Sequence, residues 1–205
     1  MADLLGVVLA GGLSRRMEGP EKSLLELNGK TLVCHVAERL KQQTSDVILN
    51  ANGDVTRFSA LGLEVQKDTI DGFVGPLAGV LAGMRWAQEN TKATHIITAA
   101  ADTPFFPTTY VGEMLINAIT KTAEIALASS NGRRHPVFGL WPIKFADELE
   151  SFLVDEENRK VMLFVDRFPN CQVNFKNLEN DVDPFFNVNT PSDMKIAEKI
   201  IVGLE

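Results

Sequence analysis

Apolar residues fall along this chain in two kinds of run. The first kind is short. Leu4–Leu9, Asp46–Leu49, Leu63–Gln66, His95–Ala101 and Glu124–Ala128 all have strand length. Leu4–Leu9, a continuous run, fits a strand buried on both faces of a parallel sheet. The second kind repeats at helical spacing. Thr31–Gln43 carries Leu32, Val36, Ala37 and Leu40, with Thr31 placed to cap. In "GPLAGVLAGMRWAQEN", Pro76 suits a first helical turn, where its missing N–H is not needed. Leu77, Val80, Leu81 and Met84 then form one apolar stripe. Gly79 and Gly83 lie four apart on that helix. Glycine weakens a helix, so the backbone is expected to approach a neighbour closely there.

Further helices are expected over Thr109–Lys121, Phe145–Leu153 and Lys160–Phe168, with a short one over Asp54–Ala60. His135–Trp141 reads as an extended run, and Gln172–Phe175 and Phe185–Val188 as late strands. "TPSDMKIAEKI" opens a last helix: Thr190 caps it, Pro191 is first and Asp193 third, an acid in place of the usual Glu of a capping box. Strands alternate with helices throughout. The expected class is therefore α/β, a three-layer αβα arrangement around an open, mostly parallel, Rossmann-like sheet.

Length and composition narrow the picture. The chain has 205 residues, so one domain over 1–205 is expected, at about 100–200 residues per domain. Hydrophobic residues make up 45%, enough for a sizeable core. The net charge of -7 argues against a broad nucleic-acid or membrane-surface binder. Any basic patch must be local, at Arg15, Arg16 and Lys22 or at Arg133 and Arg134. Cys34 and Cys171 stand in no metal-ligand spacing and make no disulfide framework; Cys34, inside a helical pattern, is expected in the core. The N-terminal apolar run is short and opens on Asp3, unlike a secretion signal. No run approaches the ~18 apolar residues of a membrane span. These features are those of a soluble, reduced, cytoplasmic protein.

In open α/β sheets, ligands bind outside the carboxyl ends of the strands. The loop after the first strand holds Gly11, Gly12, Arg16 and Lys22; the second strand is followed by Asn50 and Asn52, the third by Asp68 and the fourth by Asp102. If the strand order gathers these ends, glycines, a lysine, an amide and two carboxylates share one crevice. Simpler readings exist for each alone: a tight turn for the glycines, a solvated loop for the cations, turn residues for the asparagines, a cap for Asp68. Asp102 is the strongest single candidate. It follows small and apolar residues at the mouth of a buried strand, where a carboxylate must be paired, hydrogen-bonded or metal-bound. Two familiar phosphate loops fail on spacing. Glu21 stands where a Walker A loop needs its second glycine, and Gly11 and Gly12 are adjacent, unlike G-x-G-x-x-G. The histidines have no metal-spaced partners; His135 lines a site or plays a structural part. Nothing resembles a G-x-S-x-G elbow.

"LAGGLSRRMEGPEKSLLELNGKTL" resembles the L-A-G-G-x-S-x-R-M-G-x-x-K signature of the MobA-like nucleotidyltransferases. Further matches follow in order over nearly the whole chain: "NAN" at Asn50–Asn52, "GPLAG" at Gly75–Gly79, "DTP" at Asp102–Pro104, "HPVFGLWP" at His135–Pro142 and "FFNVNTPSD" at Phe185–Asp193. Within that family the chain is most similar to the molybdenum cofactor guanylyltransferases. It departs from the signature after Met17, where Glu18 precedes Gly19 and Glu21 replaces the usual Asp.

The resemblance implies a sheet of the nucleotide-diphosphosugar transferase type. It implies transfer of GMP from GTP to the phosphate of molybdenum-molybdopterin, releasing pyrophosphate, with Mg2+ as cofactor. It implies guanine-nucleotide contacts at Leu9, Ala10 and Gly11, phosphate contacts at Lys22 and Arg16, nucleoside contacts at Asn50 and Asp68, and metal and nucleotide binding at Asp102. Asn187 and Asn189 fall where the pterin substrate is implied. Expected partners are these two substrates, with transient contact to molybdopterin-loading or molybdoenzyme-chaperone proteins. Two alternatives stand beside this reading. One is another nucleotidyltransferase, using CTP on the same cofactor or acting on a sugar 1-phosphate. The other is a non-catalytic module that binds the cofactor.

Overall fold

The computed structural model describes residues 3–10, 22–70, 75–155 and 160–203. In chain order its elements are β1 (Leu4–Leu9), β2 (Glu26–Leu27), β3 (Lys30–Thr31), α1 (Leu32–Lys41), β4 (Asp46–Asn50), β5 (Glu64–Gln66) and α2 (Pro76–Asn90). They continue with β6 (His95–Ala100), α3 (Tyr110–Thr120), β7 (Ile125–Ser130), β8 (Arg133–Pro142), α4 (Ala146–Asp155), α5 (Val161–Val165), β9 (Asn170–Asn174) and α6 (Pro191–Gly203).

Seven strands form the main sheet in the order β5-β4-β1-β6-β8-β7-β9. The pairings are parallel except those of β8, which runs against both β6 and β7. The reason lies between β7 and β8. Asn131 and Gly132 have φ of 49° and 75°, the two left-handed residues of a tight hairpin turn. Two residues can join only antiparallel neighbours.

The two faces of β1 sort the core. Leu4 and Val8 share one cluster with Val33, Val36 and Leu40 of α1 and Tyr110 and Met114 of α3. Leu5, Val7 and Leu9 share the other with Leu77, Leu81 and Met84 of α2 and Leu149 and Phe152 of α4. Each such side chain contributes about 1.5–3 kcal/mol when fully buried. The expected three-layer architecture is therefore present. α2 lies close on the sheet, as its glycines foretold. A Cβ at Gly79 would stand 2.3 Å from Asn50 Oδ1, and one at Gly83 2.7 Å from Val7 Cγ2.

A smaller third cluster joins Leu27, Leu32, Phe105, Val188, Ala197 and Ile200. It seats α6 on the β2–β3 hairpin. That hairpin is absent from the expected elements, although Asn28-Gly29 (φ 48° and 77°) is a strong turn signal. Its strands have two residues each, too short for a period to show.

Three expectations need correction. Phe185–Val188 is not a strand but irregular backbone. Its alternation is real, since Phe185 and Val188 are buried, but the Val188 N–H is donated to Asp102 O at 2.9 Å instead of entering a ladder. Cys34 is not core: it is half-buried on the edge of α1, with Sγ 3.5 Å from Glu38 Oε1. The helix expected over Lys160–Phe168 spans Val161–Val165 and ends in turns closed by Arg167 and Phe168 N–H groups.

Candidate active site

β1 hydrogen-bonds β4 on one side and β6 on the other, so the chain winds outward in both directions from it. This reversal opens a crevice at the carboxyl ends of the strands. Backbone bonds hold these ends level. Ala10 N–H is donated to Asn50 O at 2.9 Å, Ala101 N–H to Leu9 O at 3.0 Å and Ala51 N–H to Gln66 O at 3.0 Å. The residues that close β1, β4, β5 and β6 thus meet at one edge.

On the β4–β5 side, Asn50 is 2% exposed. Its amide donates to Gln66 O at 3.2 Å and to Asp68 Oδ1 at 2.9 Å. Asn52 donates to the other oxygen, Asp68 Oδ2, at 2.8 Å, and its own oxygen accepts the Asp68 N–H at 3.0 Å. Asp68 is therefore fixed by one asparagine on each carboxylate oxygen, rather than acting as a simple cap. Asn50 and Asn52 are two apart on extended chain, which sends both side chains the same way. That spacing was the available sign of the part Asn52 plays, which the sequence reading did not assign. The first turn of α2 closes the floor, with Gly79 leaving room for Asn50 and for Leu9.

On the β6 side, Asp102 is half-buried just past the strand. Burial pushes its carboxyl above the usual range. A backbone N–H, the Asn187 amide, the Lys22 charge and the Thr103 hydroxyl pull the other way. Lys22 opens a short 3-10 turn and donates through Nζ to Asn189 Oδ1 at 3.0 Å. Val188, between the two asparagines, is fully buried in the third cluster, while Asn187 and Asn189 are exposed. The chain from Asn187 to Asn189 is a strap pinned at its centre, with its two amides set on Asp102 and Lys22.

The structure thus brings together Leu9, Ala10, Asn50, Asp68, Asp102, Lys22, Asn187 and Asn189. Gly11, Gly12, Arg15 and Arg16 lie outside the described residues. His35 and His95 serve local structure. His35 Nε2 is 2.7 Å from Leu27 O, and His95 Nδ1 is 2.9 Å from Thr94 Oγ1. His135 is clustered with Ser130 and Asp183.

Among the described residues no three His, Cys, Asp or Glu side chains are grouped to hold a metal ion. Asp102 alone still suits Mg2+, which is commonly bound by one or two carboxylates plus substrate phosphates. A carboxylate that burial makes reluctant to ionise also gains most from an arriving cation. No helix among the described residues is long and apolar enough to cross a membrane.

A cation, a half-buried carboxylate and fixed amides at the switch point of an open α/β sheet suit a charged, phosphate-bearing ligand. The sequence model described as "MobA-like NTP transferase domain" matches residues 6–168, and the chain belongs to that family. A relative from Mesorhizobium japonicum named molybdenum cofactor guanylyltransferase is 46% identical over 203 residues, covering 98% of each chain. One of the same name from a Bradyrhizobium species is 43% identical over 196 residues, covering 95% of this chain and 92% of its own. Among solved structures, molybdopterin-guanine dinucleotide biosynthesis protein A from Archaeoglobus fulgidus superposes with a TM-score of 0.73, at 24% identity, over 98% of this chain and 99% of that one. A CMP:2-keto-3-deoxy-manno-octonic acid synthetase shares the fold with a TM-score of 0.70 at 13% identity, covering 100% of this chain and 99% of that one.

Proposed function

We propose that this chain is a molybdenum cofactor guanylyltransferase, acting as one domain over residues 1–205. An oxygen of the acceptor phosphate on molybdenum-molybdopterin attacks the α-phosphorus of GTP. The bond from that phosphorus to the bridging oxygen breaks, and pyrophosphate leaves. The product is the molybdopterin guanine dinucleotide. The observation that carries this reading is the meeting of two sets of residues. Lys22 and Asp102, which this reading gives to the nucleotide, touch Asn189 and Asn187, which it gives to the acceptor, across one crevice.

Each residue has a part that its chemistry suits. Asn50 and Asp68 are rigidly paired and hold the nucleoside, with Leu9, Ala10 and Gly11 beside it. Lys22 supplies a compact, mobile charge to the phosphates, and Arg16 a planar one. Asp102 would hold Mg2+, which when bound would supply positive charge to the phosphates. Asn187 and Asn189 orient the pterin side. The acceptor phosphate is already ionised near neutral pH, so no general base is needed. Catalysis then rests on positioning and on charge stabilisation. The substrates are GTP and molybdenum-molybdopterin. The setting is the cytoplasm, with transient contacts to proteins that load molybdopterin or chaperone molybdoenzymes.

The test is transfer with Mg2+, using molybdenum-molybdopterin and each nucleoside triphosphate in turn, following pyrophosphate and dinucleotide. Product with GTP alone is expected. Product with CTP alone would keep the chemistry and change the base. No product with any triphosphate, despite nucleotide binding, would overturn the reading in favour of a sugar phosphate acceptor or a binding module.

A further inference from the structure

Behind the strap lies a polar cluster centred on a buried serine, with half-buried His135 and Asp183. Ser130 closes β7 and is 0% exposed. Its hydroxyl donates to Asp183 Oδ1 at 2.7 Å, and its oxygen lies 2.7 Å from His135 Nε2. A serine has one hydroxyl proton, and here Asp183 takes it. The histidine must therefore present Nε2–H to the serine oxygen. The order is His, Ser, carboxylate, with the serine central. That is not the order of a nucleophilic triad, in which the histidine is central. A buried serine whose proton is already given to a carboxylate is a tie, not a nucleophile.

The tie has a built geometry on each side. On β8, Leu127 faces Gly139 whereas Ala128 faces His135, so Pro136, Val137 and Phe138 form an irregularity in the strand. Pro136 has no N–H to lose there. The Thr98 hydroxyl spans the gap, donating to Val137 O at 2.6 Å and accepting the Gly139 N–H at 3.2 Å. His135, at the start of this irregularity, stacks on Phe185 with ring centres 4.5 Å apart. On the other side, Asp183 Oδ1 also accepts the Phe185 N–H at 2.9 Å, and Asp183 O accepts the Phe186 N–H at 3.0 Å. Phe185 is buried against Phe138, Phe175 and Tyr110. Two residues later the chain reaches Asn187. Burial disfavours the charged form of His135, with Asp183 opposing and Arg133 adding to that effect.

We propose that Ser130, His135 and Asp183 are positioning residues for the acceptor side of the site, fixing the chain so that Asn187 meets Asp102 and Asn189 meets Lys22. This rests on the transfer reading above. None of the three need touch the reacting atoms. They set the start of the strap, as Val188 sets its middle and the α6 cap its end.

The test compares Asp183→Ala, Asp183→Asn and Ser130→Ala in the full chain. Asparagine keeps an oxygen that accepts from both Ser130 and the Phe185 N–H, whereas alanine removes it. Two readouts are used. The first is amide hydrogen exchange over residues 185–190 in the ligand-free protein. Asp183→Ala is expected to speed exchange roughly tenfold or more there, including at the Val188 N–H, and Asp183→Asn to restore protection. The second is the split between the KM of molybdenum-molybdopterin and the Kd of GTP. The first should rise roughly tenfold in Asp183→Ala and Ser130→Ala while the second stays within about twofold. Unchanged exchange in Asp183→Ala overturns the proposal, as does a loss of GTP affinity equal to that for the acceptor. If the wild-type protein makes no dinucleotide, the transfer reading fails, and exchange alone decides whether the cluster fixes the strap. Should Ser130→Ala not fold, the pair at half-buried Asp183 carries the comparison.

Discussion

Lys22 and Asn189 are 167 positions apart in sequence, and their side chains meet at 3.0 Å. One stands after β1 and the other just before α6, so the contact spans the crevice between the sides we propose for nucleotide and for acceptor. Asn189 offers a neutral oxygen. A triphosphate offers charged ones, which make stronger bonds to an ammonium group. Nucleotide is therefore expected to draw Lys22 away from the strap.

Lys22→Ala should lower kcat/KM for GTP by about 100-fold, the scale of losing one preorganised donor at a reacting phosphate. The bond it makes to Asn189 is exposed, so its loss should leave the Tm nearly unchanged. Steady-state kinetics and a thermal melt on one preparation check this. Normal kcat/KM with a lowered Tm would mean that Lys22 is structural.

Asp102→Asn should abolish turnover and yet stabilise the ligand-free protein at neutral pH. The sign follows from burial, which raises the folded carboxyl above its ordinary value of 3.8. A raised carboxyl contributes stability that is fully present below the unfolded value and is lost as pH rises through the folded one. At neutral pH the charge is a net cost, which the amide removes while still accepting from Asn187. A gain of about 1 kcal/mol would appear as a Tm rise of roughly 2–4 °C in a chain of this size. Mg2+ with GTP should raise the wild-type Tm by more than GTP alone, and that increment should vanish in the variant.

Asn50, Asp68 and Asp102 were legible as candidates because each stands at the end of an expected strand, and the strand-end rule needs no contact information. Gly79 and Gly83 were legible as glycines that weaken a helix for no local reason. What escaped was tertiary. Ser130 lies two residues beyond the run expected as a strand, and its partner Asp183 lies 53 residues away in sequence. The strap at Val188 read as a strand because a pinned extended chain shares the alternation of a strand, and only its hydrogen-bond partner separates the two. Cys34 looked like core because helical spacing was read without the direction of the α1 stripe.

Gly79→Ala and Gly83→Ala should each destabilise by about 1–3 kcal/mol through overpacking, against the usual gain from removing a helical glycine. The sites should differ in function. A methyl at Gly79 strikes Asn50 Oδ1 and Leu9 Cδ2, at 2.3 and 2.7 Å, and so disturbs the pair with Asp68. One at Gly83 meets Val7 and Ile96, away from the site. GTP affinity should fall in the first variant only. Gly112 in α3 has nothing within 4 Å of its added Cβ, so Gly112→Ala should stabilise by about 1 kcal/mol and calibrate the series.

The α6 cap should tie acid stability to the acceptor strap. Thr190 Oγ1 accepts the Asp193 N–H at 3.1 Å, while Asp193 Oδ2 accepts the N–H groups of Thr190 and Asn189 at 2.8 and 3.0 Å. The acid thus holds the backbone of Asn189 as well as the helix end. A bond donated by the Thr190 hydroxyl, first, and then the N–H groups of Asn189 and Thr190 hold the Asp193 carboxyl below its ordinary value of 3.8. A depressed carboxyl contributes stability above the unfolded value and loses it as pH falls through the folded one. Between neutral pH and about pH 4 the cap should stay intact; below that, protonation should release the Asn189 N–H. Hydrogen exchange at residues 189–193 should therefore stay flat down to about pH 4, after correction for intrinsic rates, and accelerate below it. Asp193→Asn should remove that acid-induced step, and Thr190→Ala should cost about 1 kcal/mol at neutral pH. If the step survives in Asp193→Asn, another carboxylate controls the strap.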